Sequence, residues 1–164
     1  LAGRPATRWC LTLTDPAGNA IGHACAPTGR PPPRAGPGQP GQPGQLDWLR
    51  SLRPAPITRD ACAHPLETTG YQPPARLRHQ VQTRQRRCSF PGCRRPATGC
   101  DLDHTIPYHL GGRTCECNMS PLCRLHHRAK QAPGWSLTQP RPGTLTWTLP
   151  SGRTYTTYPE PYPV

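Results

Sequence analysis

Four residues between positions 88 and 126 combine the donor chemistry and the spacing of a zinc cage. Cys88 and Cys93 are separated by four residues in CSFPGC, and Cys123 and His126 by two in CRLH. Two such pairs suit a tetrahedral ion gripped by two turns, and thiolate and imidazole are donors that zinc accepts. Closing the cage would contribute folding energy outright, on the order of 10 kcal/mol. Cys115 and Cys117 form a C-x-C pair that competes for the same role, and His127 competes with His126. Cys100 is expected to pack beside the site. Cys10, Cys25 and Cys62 lack partner spacing and read as ordinary small side chains. A second set of residues offers different chemistry. Asp103 is a hard oxygen donor for magnesium or manganese, and His127 adds a nitrogen donor that makes transition ions suitable. Two protein ligands leave positions open for water and phosphate oxygens, where a divalent ion acts as a Lewis acid. His104, with an ordinary pKa of about 6.5, can take a proton from water as a general base.

These groups need elements that aim them. Residues 122–131 read as a helix carrying Cys123, His126 and His127. Positions three apart share a helix face, and the next residue lies about 100° further round. One helix can therefore show Cys123 and His126 to one ion and His127 to another. Neighbouring side chains on a regular strand point to opposite faces. For Asp103 and His104 to serve one phosphate, the strand must distort or end there, and Pro107 with Gly111–Gly112 makes an irregular loop plausible. Upstream, residues 74–87 (PARLRHQVQTRQRR) read as a helix opened by Pro74 with Leu77 and Val81 inward.

The remaining segments frame this centre. Residues 7–25 alternate around a DPAGN turn and predict a β-hairpin. Residues 27–45 are Pro/Gly/Gln low complexity, the composition of a flexible, partly polyproline linker. Residues 46–53 predict a short helix with Leu46, Leu49 and Leu52 on one face. Residues 135–158 predict a small β-meander whose Trp135, Trp147, Tyr155 and Tyr158 serve packing rather than base stacking. No internal repeat is visible. The expected class is α+β, divided as 1–26, 27–45, 46–73, a central domain over 74–132, and a C-terminal meander and tail over 133–164.

Composition limits what such a chain can do. Only 33% of the 164 residues are hydrophobic and 25 are proline, so a metal or disulfide staple is expected. The formal charge of +12, from 20 basic and 8 acidic residues, suits a polyanionic partner, foremost DNA. From Arg76 to Arg95, both included, there are seven arginines and no acid. Arg84, Arg86, Arg87, Arg94 and Arg95, with Arg128 and Lys130 beside the candidate centre, are the expected phosphate contacts. Part of the arginine bias also follows from GC-rich codon usage. No run of about 18 apolar residues exists, so no membrane span is expected, and the first ten residues lack the apolar stretch of a signal peptide. Nine cysteines in clustered Cys/His spacing favour metal in a reducing cytoplasm over a disulfide framework. The absent initiator methionine fits a fragment of a longer chain. Oligomeric state is not legible.

Read together, DLDHTIP, the Gly-Gly turn, Asn118 and LCRLHHRAK resemble the HNH endonuclease family over residues 88–131, about a quarter of the chain. The family's three signature residues fall on His104, Asn118 and His127. The resemblance implies a ββα-metal finger, with Asn118 bracing the loop by hydrogen bonds. It further implies DNA cleavage leaving 5′-phosphate and 3′-hydroxyl ends, a catalytic Mg²⁺ or Mn²⁺ and a structural Zn²⁺. Many zinc-bearing members have Cys-x-x-Cys-His where this chain has Cys123-x-x-His126-His127, which leaves open which histidine faces which metal. Residues 71–103 are similar to actinobacterial HNH proteins with an upstream helical domain of unknown function, which implies a C-terminal piece of such a protein. Two other classes stay open: a non-catalytic zinc-stabilised nucleic-acid-binding module, and a decayed relic of a mobile element.

Overall fold

Alternation of apolar and polar side chains, interrupted by turn residues, gives small antiparallel sheets here rather than one large one. The computed structural model describes residues 9–26, 48, 50–59 and 62–163. Within them the protein is mixed α and β. Strands β1 (Cys10–Thr14), β2 (Ala20–Cys25) and β3 (Ala55–Pro56) form one antiparallel sheet. Helix α1 (Ala75–Arg84) follows, then the antiparallel pair β4 (Asp101–His104) and β5 (Met119–Leu122), and helix α2 (Arg124–Lys130). Strands β6 (Ser136–Arg141), β7 (Thr144–Thr148) and β8 (Thr154–Thr157) close the chain as an antiparallel meander. Among the described residues no helix is long and apolar enough to cross a membrane.

The first hairpin turns where Asp15 accepts hydrogen bonds from the Ala17 and Asn19 amides and from the Asn19 side chain, an Asx-type turn. Its register sets Cys10 opposite Cys25, and the two are joined in a disulfide. That corrects the reading of both as ordinary small side chains. Of the predicted 46–53 helix, residues 48, 50 and 51 are helical and Leu52 is buried in the hairpin's core with Ala24 and Ala26. Leu46 and Leu49 lie outside the described residues, as does the 27–45 linker. Pairing of β3 with β2 was not foreseen; two residues carry no periodic signal.

Helix α1 starts after Pro74, whose carbonyl accepts from the Arg78 amide. Leu77 and Val81 are fully buried against Met119, with Leu66 and Leu102 packed around them. The helix ends three residues before the predicted boundary because the chain is needed elsewhere. Cys88 donates its amide to the Arg95 carbonyl and Ala97 to that of Arg86. This ladder closes the turn that presents Cys88 and Cys93.

The largest core lies between that turn and the meander. Leu122, Leu145 and Trp147 are fully buried there with Cys88, Cys123 and Leu137, and Phe90 and Trp135 cover them. The Trp147 indole donates to the Ser89 carbonyl at 3.0 Å. Trp135 and Trp147 thus pack as expected, whereas Tyr155 and Tyr158 are exposed. Both tyrosines lie at the outer strand or just past it, where no layer of the described residues covers them, so the expectation of packing fails for this pair.

The acid-free arginine run divides. Arg84 is 3% exposed and donates to the carbonyls of Glu116 and Met119 at 2.6 and 3.0 Å. Phosphate contact by Arg84 is therefore excluded. Its position on the last turn of α1 turns it toward β5, where these two carbonyls and the Gln85 side-chain oxygen take up its terminal nitrogens, while Nε has no hydrogen-bond partner among the described residues. Burial lowers its pKa to about 10, while Glu116 and then the thiols of Cys62, Cys117 and Cys115 pull it upward. Arg86 donates to the Pro161 carbonyl and lies over the Tyr162 ring, and both Arg86 and Arg87 pair with Glu160. Arg94, Arg95 and Arg128 are exposed.

Candidate active site and metal centres

Strand β4 and helix α2 meet at a cleft of about 450 Å³ lined by Tyr71, Asp103, His104, Pro107, Tyr108, His109, His127, Lys130 and Gln131. Strand β4 keeps its register through its last residue, His104, opposite Met119. Asp103 and His104 both line the one cleft, with the His104 ring set against Tyr71 and Tyr108. The Asp103 carboxylate is 3.1 Å from His127 Nε2. Its other oxygen accepts from Lys130 Nζ at 2.5 Å, and the same ammonium donates to the His104 carbonyl.

Asp101 and Asp103 are two apart on β4 and share the face toward α2. Asp101 binds His127 Nδ1 at 2.9 Å and pairs with Arg124 at 3.2 Å. Asp101 therefore orients His127 and leaves Nε2 facing Asp103. The alternation Asp-x-Asp was the available signal. A carboxylate behind a ligating imidazole fixes its tautomer and raises its basicity.

His104 is 5% exposed. Its Nε2 shares a 2.8 Å hydrogen bond with the Thr114 hydroxyl, and its ring stacks on Tyr71 at 5.4 Å. Burial pushes its pKa below the ordinary value; Asp103 opposes this and Lys130 adds to it. Thr114 and Tyr71 had no sequence signal as partners.

The loop after β4 is held by Asn118. Its Oδ1 accepts from the Ile106 amide at 2.8 Å, and its Nδ2 donates to the carbonyls of Ile106 and Arg113 at 3.0 and 2.9 Å. At Gly112 a Cβ would lie 1.8 Å from the Ile106 carbonyl and 2.9 Å from Asn118 Nδ2, so this close approach requires glycine. Asn118→Ala strands three backbone groups, each worth about 1 kcal/mol net and more when left unsatisfied. Urea unfolding should show a loss of about 2–4 kcal/mol; a loss below a few tenths would refute the brace.

Among the described residues, three groups of four side chains have the donors and proximity to hold a metal such as zinc, each with its ligand atoms within 4.8 Å of one another. Cys88, Cys93, Cys123 and His126 form the group predicted from spacing. His126 Nδ1 is 3.2 Å from Cys123 Sγ and 3.5 Å from Cys88 Sγ, and its ring stacks on Phe90 at 3.7 Å. The paired histidines thus face apart, His126 to the thiols and His127 to Asp103. Burial raises the Cys88 thiol to about 12. Burial also acts upward on Cys123, but the amides of His126 and Leu125 at the start of α2 bring it below its ordinary value. Cys100 packs against this core.

The other two groups were missed. One unites Cys62 and His64 with Cys115 and Cys117, so the C-x-C pair serves a site of its own and does not compete for the first. The other unites Cys10, His23, Cys25 and His79; its two sulfurs, bonded in the disulfide, make a Cys₂His₂ set once reduced. A signal existed: Cys62-x-His64, Cys115-x-Cys117 and His23-x-Cys25 each place donors two residues apart, on one side of extended chain.

No family model matches the chain. The chain is similar to the uncharacterized protein Rv3776 of Mycobacterium tuberculosis, 47% identical over 91 residues that make up 55% of this chain and 17% of that protein. It is also similar to the uncharacterized protein Rv2100 of the same organism, 46% identical over 90 residues, 54% of this chain and 16% of that protein. The match thus spans about a sixth of the length of these curated relatives. No solved structure matches.

Proposed function

We propose that the chain is an HNH-type endonuclease module that hydrolyses DNA phosphodiesters with a divalent ion held by Asp103 and His127. The observation that carries this reading is the meeting of Asp103 and His127 Nε2 at 3.1 Å in the cleft that also receives His104. The donor set fits the ion: one carboxylate oxygen and one imidazole nitrogen whose other nitrogen is held by Asp101, both on residues that line the cleft. When bound, Mg²⁺ or Mn²⁺ would supply charge neutralisation at the phosphate and the leaving oxygen.

The protein's own groups do the rest. With Thr114 accepting from Nε2–H, His104 keeps its Nδ1 lone pair for a proton of the attacking water. Asn118 holds the 105–112 loop, and Lys130 keeps the Asp103 carboxylate and the His104 backbone in one geometry. Exposed Arg94, Arg95 and Arg128 supply charge for a polyanion. The strand pair β4–β5 followed by α2 agrees with the ββα-metal finger that the HNH resemblance implies.

The test is incubation of supercoiled plasmid with the chain over a panel of divalent ions. Nicked or linear product with Mg²⁺ or Mn²⁺, lost on chelation and bearing 5′-phosphate ends, is the expected result. Salt-dependent DNA binding without cleavage under any ion would replace the proposal with the non-catalytic binding module.

A further inference from the structure

We propose that Cys62, His64, Cys115 and Cys117 bind a zinc ion of their own, which clamps the 113–118 loop. The four donors converge from two segments about 50 residues apart in the chain. His64 Nδ1 is 3.4 Å from Cys62 Sγ and 3.6 Å from Cys117 Sγ, and the sulfurs of Cys115 and Cys117 are 2.8 Å apart. Three thiols and one imidazole make a complete tetrahedral set, the closed form of a structural zinc site.

Two further observations favour an ion over packed thiols. His64 has φ of +56° and is the one described non-glycine residue with positive φ. That conformation is uncommon for a residue with a Cβ, and here it brings Nδ1 to the sulfurs and to the Glu67 carboxylate, 3.4 Å away. Arg84, buried under the loop on the Glu116 carbonyl, faces the Glu116 carboxylate first and then the cluster, which turns anionic when three thiolates surround one Zn²⁺. The apolar contacts in this region belong to Leu66, Leu77, Val81 and Met119, and none of the four donors is among them.

The clamp bears on the candidate active site, a consequence that rests on the function proposed above. Thr68 and Thr114 form a β-bridge beside the cluster, and Arg113 pairs with Glu67 at 3.0 Å. Thr114 then holds His104, and Asn118 holds the loop around it. The four donors are thus positioning residues, and their ion would couple residues 62–68 to the orientation of His104.

Metal counting tests the site without reference to cleavage. The full chain, produced with zinc under reducing conditions and analysed by native mass spectrometry, should lose one zinc in the Cys62→Ser/Cys117→Ser variant and keep the rest. Hydrogen exchange over residues 113–118 should rise in the same variant. Because that variant could fail to fold, the wild-type chain loaded with cadmium-113 gives an independent answer. Two resonances in the range of three sulfurs and one nitrogen are expected, and His64→Cys should move one to the four-sulfur range with the metal count unchanged. A single such resonance in the wild type, or an unchanged zinc count in the double variant, would overturn the site.

Discussion

Replacing His104 with alanine should slow plasmid cleavage by about 10²–10⁴-fold while leaving DNA affinity within a factor of about two, the range expected for a lost general base. The reasoning starts from the neighbours. His104 is buried, held by Thr114 at Nε2 and stacked on Tyr71, and it does not contact the acids of the candidate metal site through its ring. Removing the imidazole deletes a proton acceptor and one hydrogen bond but leaves Asp103, His127 and the exposed arginines in place. Single-turnover rates measured with saturating enzyme check the prediction, since they separate chemistry from binding. Wild-type rates in His104→Ala would eliminate this histidine as the base. A parallel loss of DNA affinity would show a collapsed loop instead. Thr114→Val serves as the companion variant: it keeps the side-chain volume, removes the hydroxyl bonded to His104 Nε2, and should reduce the rate less than His104→Ala does.

The second large effect concerns the fold. Cys123→Ser, or prolonged treatment with a thiophilic zinc chelator, should unfold residues 88–148 as a unit. The cage of Cys88, Cys93, Cys123 and His126 sits at the margin of the core that contains Leu122, Leu145 and Trp147. A structural zinc contributes on the order of 10 kcal/mol, against about 5–15 kcal/mol for the net stability of a whole domain. No rearrangement of so small a core can offset that loss. The near-ultraviolet circular dichroism of Trp147 reports it, because this indole is fully buried and hydrogen-bonded to Ser89. Magnesium added after chelation should not restore the signal, whereas zinc should. A chain that keeps its tryptophan signal after complete zinc removal would show that apolar packing suffices without metal. Because Cys123 caps α2 and His127 lies one turn on, with its amide bonded to the Cys123 carbonyl, loss of the cage should also disperse Asp103 and His127.

Local order was legible wherever one segment carries its own signal. Pro74 and the spacing of Leu77 and Val81 placed α1, and the DPAGN turn placed the first hairpin. The alternation around Trp147 placed the meander. Spacing also named the four residues of the Cys88 group, because each half of that cage is a short turn whose donors are near neighbours in the chain. The helical angle between His126 and His127 was enough to expect that they face different partners.

What the tertiary structure alone decided is which distant segments meet. Cys62 and His64 join Cys115 and Cys117 only because the 62–68 segment runs beside the 113–118 loop, and no short-range pattern encodes that adjacency. Arg84 belongs to a basic run that looks solvent-facing, yet helix α1 docks on β5 with this residue inward, and burial converts a phosphate ligand into a backbone clamp. Asp101 became the orienting group for His127 because α2 crosses the face of β4 that both acids share. Spacing along a chain reports the bonds a residue can make with its own turn or strand; charge, burial and partner are set by packing between elements, and packing is a property of the folded whole.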